Sequence, residues 1–253
     1  MLKKIAFTAL FAATAFASAV GSLQAKDLKV ATNPTFPPFE FVNSQTKEFT
    51  GFEMDLIKAI GKQAGYNVVI QNMGFDGIIP AILAGNVDVG ASGFSITPER
   101  AKKVLFTEPF YESGLTILIN KSSADKIHGF KDLKGKKIAV QIGTTAAAKA
   151  KEIEGAQIVT FNHAGEAILE LSNGGADAVI NDKPVTDYIL VQQPQLAKKT
   201  VHLPELLSAD PMGIVVAKDN TALQGELNKA MAELKKNGTY AELYKKWFGA
   251  HAH

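Results

Sequence analysis

Residues Ile82–Val89 read ILAGNVDV, and residues Leu169–Val179 read LELSNGGADAV. Each stretch begins on apolar residues at helical spacing, passes through a glycine turn and ends on an apolar, strand-like run beside an aspartate. A helix that returns into a short apolar strand is typical of a parallel sheet with crossover helices. Because the same unit occurs in two distant parts of the chain, we predict two α/β lobes of similar design.

The rest of the chain follows the same alternation of short β-branched runs and amphipathic stretches. We predict strands at 28–32, 67–71, 87–91, 114–119, 136–141, 157–161, 176–180 and 213–217. We predict helices at 52–64, 78–84, 145–153, 165–172, 223–236 and 240–248. Each lobe is therefore expected to hold a mainly parallel sheet that is flanked by helices.

Two segments interrupt this pattern with small residues and proline, at 110–114 and 208–212. We interpret them as crossings between the lobes. The first lobe is then discontinuous and comprises 26–112 and 210–253, and the second lobe comprises 113–209.

The first 25 residues have the layout of a secretory signal peptide. Lys3 and Lys4 precede an apolar run, and Leu23-Gln24-Ala25 is an acceptable cleavage site. The precursor has 27 basic and 25 acidic side chains, so removal of the two lysines leaves equal numbers. A neutral chain gives no electrostatic case for a nucleic acid or an anionic membrane as partner.

The composition narrows the chemistry further. The chain has no cysteine, which excludes disulfides, thiolate catalysis and a lipid-modified N-terminal cysteine. With the signal peptide, this favours a protein that is free in a bacterial periplasm. We expect no metal and no cofactor.

The stretch Ser92–Arg100 reads SGFSITPER and follows a predicted strand. Thr97 has the features of a helix N-cap, Pro98 of the first helical residue, and Glu99 of an acidic first turn. Small residues before the helix leave backbone N–H groups free for a ligand. Because the planar guanidinium of Arg100 matches a carboxylate in bidentate geometry, we expect a carboxylate site here.

Three other predicted strand ends carry complementary polar groups, and ligands of open α/β sheets bind beyond such ends. Asp182 suits an α-ammonium group as Arg100 suits an α-carboxylate. The amides of Asn33, Gln141 and Asn181 suit a polar, uncharged side chain. The chemistry indicates a free amino acid as the ligand.

A glycine-threonine-threonine loop leads into the helix at Thr145, whose positive end also favours a carboxylate. Phe36 and Phe75 lie in predicted loops, where they could enclose the aliphatic part of a ligand. The candidate ligand-binding residues are Asn33, Phe36, Phe75, Ser92, Gly93, Ser95, Arg100, Gln141, Thr145, Asn181 and Asp182.

Simpler interpretations exist for single members of this set. Asp182 could cap the turn before Pro184, and Phe36 could belong to the core. An enzyme on the same architecture would need a general acid in the cleft. The histidines stand alone, and the surroundings of Ser92 lack the spacing of a nucleophile elbow. A binding protein is therefore favoured over an enzyme.

Motifs along the whole mature chain resemble the periplasmic substrate-binding proteins of polar amino-acid uptake systems, the family-3 solute receptors of ATP-driven importers. The motifs are PPFEF at 37–41, GFEMDL at 51–56, GIIPA at 77–81, ITPER at 96–100, NGTY at 237–240 and KWFG at 246–249. The resemblance implies a two-lobed type II periplasmic binding fold that closes on its ligand. It also implies delivery to an inner-membrane ABC permease by a monomer.

The resemblance assigns the ligand carboxylate to Arg100 and the ammonium to Asp182. It assigns supporting contacts to Gly93, Ser95, Thr145, Phe36 and Phe75. Relatives on the same fold include cyclic-acid dehydratases, and a ligand-sensing receptor is a further alternative.

Specificity is where the sequence departs from its relatives. Receptors for basic amino acids, and many for glutamine, carry aspartate at the position of Asn33. The amide favours a neutral polar ligand, so we predict glutamine first, with a basic amino acid or histidine as the alternative.

Overall fold

The structure is a computed structural model that describes residues 25–249. The strands are β1 (Lys26–Thr32), β2 (Thr35–Phe36), β3 (Glu40–Val42), β4 (Phe49–Thr50), β5 (Tyr66–Asn72), β6 (Val89–Gly90), β7 (Val104–Phe106), β8 (Tyr111–Ser113), β9 (Leu115–Asn120), β10 (Lys137–Gln141), β11 (Gln157–Phe161), β12 (Ala178–Asp182), β13 (Thr200–His202), β14 (Asp210–Met212) and β15 (Val215–Ala217). The α-helices are α1 (Phe52–Ala64), α2 (Phe75–Leu83), α3 (Pro98–Ala101), α4 (Thr145–Ala150), α5 (Ala164–Ser172), α6 (Lys183–Gln192), α7 (Pro194–Lys199), α8 (Thr221–Lys236) and α9 (Thr239–Phe248).

The first five-stranded sheet has the order β5-β1-β6-β15-β7. Its strands β5, β1 and β6 are parallel, with Val30 opposite both Ile70 and Val89. Strand β15 comes from the C-terminal part of the chain and pairs antiparallel with β6 and β7. The chain therefore leaves this sheet and returns to complete it.

The second five-stranded sheet has the order β11-β10-β12-β9-β13. Strands β11, β10 and β12 are parallel, and β9 and β13 are antiparallel to their neighbours. Strand β12 is buried along its whole length, as expected for a strand covered on both faces by helices. The two-lobed α/β class that the repeat predicted is confirmed.

The two sheets are connected through β8 and β14, which pair antiparallel with each other and with no strand of either large sheet. They coincide with the predicted crossings. The division into 26–112 plus 210–253 and 113–209 stays a prediction, and the membership of the strands agrees with it.

Several elements differ from the predicted ones. The small sheet β2-β3-β4 and the helices α6 and α7 were not predicted, and α4 ends earlier than expected. The alternative interpretation of Asp182 places a turn before Pro184, at Lys183-Pro184. Instead this dipeptide starts α6, because proline has no N–H to lose in the first turn of a helix and its φ is already helical.

Aromatic side chains attach the C-terminal helix to the first lobe. The rings of Tyr244 and Phe248 lie 5.7 and 5.1 Å from that of Phe52, both edge to face. Phe41 contacts Trp247 of α9 at 5.7 Å and Tyr188 of α6 at 6.0 Å. One aromatic ring of β3 thus touches elements of both lobes outside the cleft.

Within residues 25–249, no helix is both long and apolar enough to cross a membrane. The predicted signal peptide lies almost entirely outside the described residues.

Gly51 has φ 126°, and a Cβ atom there would lie 2.2 Å from the carbonyl oxygen of Phe39. We expect Gly51→Ala to lower the free energy of unfolding by about 3 kcal/mol, because both the backbone conformation and the contact are unfavourable. Gly77→Ala is the matched control. It places a Cβ in open space within α2, and we expect it to raise the free energy of unfolding by about 0.5–1 kcal/mol. Urea unfolding measures both, and equal stability of the two variants would contradict this account.

Candidate functional site

The carboxyl ends of β1, β6, β10 and β12 face a common cleft between the two sheets. A cavity lies there. It is lined by Asn33, Phe36, Glu40, Phe75, Ser92, Gly93, Ser95, Arg100, Gln141, Thr144, Thr145 and Asp182. All but one of the predicted ligand-binding residues are therefore brought together by the fold.

Arg100 enters the cavity from the short helix α3. The helix starts as the sequence predicts, since the Thr97 hydroxyl accepts a hydrogen bond from the Arg100 N–H at 3.2 Å. The guanidinium donates a hydrogen bond to the carbonyl of Ser95 at 2.9 Å. It donates a second one, at 3.1 Å, to the carbonyl of Gly143, which belongs to the other lobe. Burial lowers the pKa of Arg100 to about 10, so the side chain is still a cation at neutral pH.

The guanidinium of Arg100 also lies above two aromatic rings. Its central carbon is 5.5 Å from the ring centroid of Phe75 and 5.3 Å from that of Phe94. These two rings are stacked on each other at 4.5 Å. The two rings therefore pack against the guanidinium and restrict its position.

Asp182 ends β12 and brings the opposite charge from the second lobe. Its carboxylate accepts a hydrogen bond of 2.6 Å from the hydroxyl of Ser113, on the crossing strand β8. Burial raises the pKa of Asp182 to about 7, while the Ser113 hydrogen bond and the positive charge of Arg100 act in the opposite direction. The carboxylate does not cap α6, so the interpretation of Asp182 as a helix cap is wrong.

Three contacts join the lobes directly across the cavity. The Gln141 amide donates to the Asn33 side-chain oxygen at 3.2 Å, and the hydroxyls of Ser95 and Thr145 are 3.4 Å apart. The third is the Arg100 bond to Gly143 described above. The two lobes are thus closed on each other.

Asn181 is the exception among the predicted residues, and its assignment to the ligand site is wrong. It does not line the cavity, and its amide donates to the Thr186 hydroxyl at 3.2 Å. Neighbouring side chains of a strand point to opposite faces. Because Asp182 faces the cleft, Asn181 points away from it.

Phe36 and Phe75 are both 8% exposed and line the cavity. They belong to the core and to the cavity wall at once. Phe36 lies so close to Gly93 that a Cβ on that glycine would be 3.0 Å from the ring, and Gly93 has φ 62°. Only glycine fits this turn without strain.

Two acidic residues of the site were not predicted. Glu40 of β3 lines the cavity and Glu53 of α1 lies behind it, and both are 0% exposed. Glu53 accepts the Gly93 N–H at 2.7 Å, and Glu40 accepts the Ser92 hydroxyl at 3.4 Å. The signal was present in the sequence, because each glutamate interrupts an apolar run in one of the motifs.

The two carboxyl groups shape each other's ionisation. Burial raises the pKa of Glu53 to about 7, and burial together with the charge of Glu53 raises the pKa of Glu40 well above its usual value. One oxygen of each group has no hydrogen-bond partner among the described residues. A hydrogen bond between the two carboxyls therefore requires a proton on one of them.

Thr144 and Ser113 were also missed. Thr144 caps α4, since its hydroxyl accepts from the Ala147 N–H at 3.1 Å and donates to the Gln141 carbonyl at 2.7 Å.

Among residues 25–249, no group of three or more His, Asp or Glu side chains could hold a metal ion.

This geometry can be compared with known proteins. The family model of the bacterial extracellular solute-binding proteins, family 3, matches residues 28–250, almost the whole of the described chain. The chain belongs to this family. The resemblance on which the sequence analysis relied is therefore confirmed.

Three relatives of this family-3 protein are similar to it over nearly their full length. The ABC transporter arginine-binding protein 1 of Escherichia coli K12 is 35% identical over 250 residues, which cover 98% of this chain and 99% of that protein. An ancestral arginine-binding protein bound to arginine is 41% identical, with a TM-score of 0.85 and coverage of 89% and 100%. An ancestral arginine-binding protein bound to glutamine has a TM-score of 0.83 at 41% identity, with coverage of 88% and 98%. The type II binding fold is confirmed.

The raised pKa of Asp182 makes the stability of the ligand-free protein depend on pH. An acid whose pKa is higher in the folded than in the unfolded state stabilises the fold at low pH, and this contribution is lost as the pH rises through the folded value. For Asp182 that window runs from 3.8 to about 7. We therefore expect Asp182→Asn to raise the free energy of unfolding at pH 8 by about 1–2 kcal/mol and to change it little at pH 4.

Chemical unfolding at the two pH values measures this effect. The matched control is Asp125→Asn, a change of the same charge at an exposed position of the chain. If Asp182→Asn destabilises the protein at pH 8, the carboxylate is better solvated than its burial indicates.

Proposed function

We propose that this protein is a periplasmic receptor that captures a free basic amino acid, arginine first, by closure of its lobes and delivers it to an ABC importer. The proposal depends mainly on Arg100 and Asp182, two side chains of opposite charge that enter one buried cavity from different lobes. A free α-amino acid offers the complementary pair, a carboxylate and an ammonium. Both charges of the ligand are then compensated, as burial in a closed cleft requires.

The side-chain end of the cavity decides the proposed ligand class. Once Arg100 and Asp182 hold the α-groups, Glu40 is the remaining acidic group that lines the cavity. A guanidinium or ammonium in this place would have an anionic partner, and the oxygens of Asn33 and Gln141 could accept further hydrogen bonds. Phe36 and Phe75 offer apolar surface to the aliphatic carbons.

The prediction of glutamine rested on the amides of Asn33, Gln141 and Asn181, and on asparagine in place of aspartate at position 33. The relatives named as arginine-binding proteins support a basic ligand, and the carboxyl of Glu40 supplies the acidic group that Asn33 lacks. Glutamine, the ligand that the sequence predicted first, stays a prediction, and a solved relative with bound glutamine supports it.

The proposed mechanism uses the crossings β8 and β14 as a hinge, as in hinge closure of periplasmic binding proteins. Ser113 lies on β8 and holds Asp182 at 2.6 Å. Movement of the crossing is therefore coupled to the position of the group that would hold the ammonium. Closure also brings Thr145 and Gly143 to the α3 side of the cleft, where they contact Ser95 and Arg100.

A dehydratase-like enzyme is the competing hypothesis, because buried carboxyls with a raised pKa can act as general acids. The family and the names of its relatives favour a receptor. Recovery of the ligand unchanged after long incubation distinguishes the two.

The direct test is calorimetry of ligand-stripped residues 26–253 with each proteinogenic amino acid. We expect one arginine to bind per chain, more tightly than neutral or acidic amino acids. Absence of binding by any amino acid would contradict the receptor proposal. Tight binding of a neutral amino acid without binding of arginine would contradict the ligand class only.

Arg100→Ala and Asp182→Ala should each weaken binding of every amino acid ligand. Removal of one partner of a buried charge pair costs about 3–5 kcal/mol, which is more than a hundredfold in Kd. Lys103→Ala is the matched control, because Lys103 is an exposed cation just after α3 and should bind as the wild type does. If the Arg100 variant kept wild-type affinity, the assignment of the carboxylate would be wrong.

A further inference from the structure

Two buried acids without a cationic partner lie at the base of the cavity, Glu40 in its lining and Glu53 behind it. Among residues 25–249, the ion pairs formed by Lys, Arg and His side chains include neither Glu40 nor Glu53. One oxygen of each carboxyl, Oε2 of Glu40 and Oε1 of Glu53, lacks a hydrogen-bond donor. The remaining oxygens are held by the hydroxyl of Ser92 and the N–H of Gly93.

Charged groups face Glu40 from three directions. Glu53 reaches Glu40 from α1, Asp182 adds negative charge from the end of β12, and Arg100 lies across the cavity on α3. Arg100 is occupied by the carbonyls of Ser95 and Gly143 and, in the proposed function, by the ligand carboxylate. The surroundings of Glu40 are therefore negative on balance, and Glu40 faces the cavity.

We propose that the Glu40–Glu53 pair shares a proton that a cationic ligand side chain displaces and a neutral amide side chain leaves in place, so that pH sets the preference of the receptor between arginine and glutamine. This inference rests on the proposed function. It adds that the specificity of the cavity is carried by a protonation state and is not fixed by the residue types alone.

The charges balance in both complexes. When arginine binds, one proton leaves the pair for the solvent and the guanidinium supplies the positive charge, so the total charge at the base of the cavity is unchanged. When glutamine binds, the proton stays, and the neutral carboxyl of Glu40 can donate a hydrogen bond to the side-chain carbonyl. Each form of the pair thus suits one ligand.

The sign of the pH dependence follows from this balance. A ligand whose binding releases a proton binds more tightly as the pH rises, by up to about tenfold per pH unit for one proton. Asp182 also titrates near neutrality, but it faces the ammonium that both ligands carry. The titration of Asp182 therefore affects both affinities equally and drops out of the ratio of the arginine affinity to the glutamine affinity. The pH dependence of this ratio reports on the Glu40–Glu53 pair.

The experiment measures both affinities by calorimetry at several pH values between about 5.5 and 8.5, below the pKa of the free α-amino groups. We expect the arginine-to-glutamine ratio to rise by about tenfold per pH unit over part of this range and then to level off. Arginine binding at pH 7, measured in two buffers of different ionisation heat, should release between half a proton and one proton, and glutamine binding should release about none after Asp182 is accounted for.

Two isosteric variants locate the proton. Glu40→Gln should make the ratio low and independent of pH, because no carboxylate can form beside the ligand. Glu53→Gln should make it high and nearly independent of pH, because an amide donor stabilises ionised Glu40. Glu48→Gln, an exposed residue before β4, is the matched control and should keep the wild-type slope.

The failures of the two proposals are distinguishable. If arginine binds and the wild-type ratio does not change with pH, the shared-proton inference is wrong and the receptor proposal stands. If neither ligand binds the wild type, the receptor proposal fails and the inference with it. Circular dichroism detects a glutamate variant that does not fold. In that case, the number of protons that the wild-type protein releases on arginine binding still tests the shared-proton inference.

Discussion

The compensation of buried charge is the constraint on which the rest of this structure depends. Arg100 and Asp182 enter the same cavity from opposite lobes. Burial lowers the pKa of Arg100 and raises the pKa of Asp182, so it favours the neutral form of each side chain. Neither charge has an ion-pair partner in the described chain, because both are held by neutral groups, carbonyl oxygens for Arg100 and a hydroxyl for Asp182. A zwitterion that bridges them would supply the missing opposite charge to each group. Favourable electrostatic interactions with such a ligand are therefore built into the folded protein.

The buried glutamates extend this principle into the supporting structure. Glu53 holds the N–H of Gly93 and Glu40 the hydroxyl of Ser92, which in turn accepts the N–H of Asn33 at 2.9 Å. The chain of hydrogen bonds positions two strand ends of the first lobe. Groups that position the loop in this way are themselves unfavourable to bury as anions, so the stability of the lobe and the charge of its cavity are linked.

The sequence predicted most of the site because its signals were local. The cap at Thr97 and the strand that ends at Asp182 each depend on a few neighbouring residues. Asn181 shows the limit of such signals, since a polar residue at a strand end faces the cleft or points away from it according to strand alternation. The helix that begins at Lys183 was missed for a similar reason, because proline is as compatible with a first helical turn as with a loop.

The sequence by itself determined the two-lobed architecture, the strand ends that carry polar residues and the pair of opposite charges. Periodicity, capping and turn residues act over a few positions, so they can be recognised without coordinates. Only the tertiary structure decided that Glu40 meets Glu53 beneath the cavity and that Ser113 holds Asp182 from 69 positions away. Contacts between elements depend on how the sheets and crossings pack, and the resulting burial, which no local pattern contains, determines the ionisation of these groups.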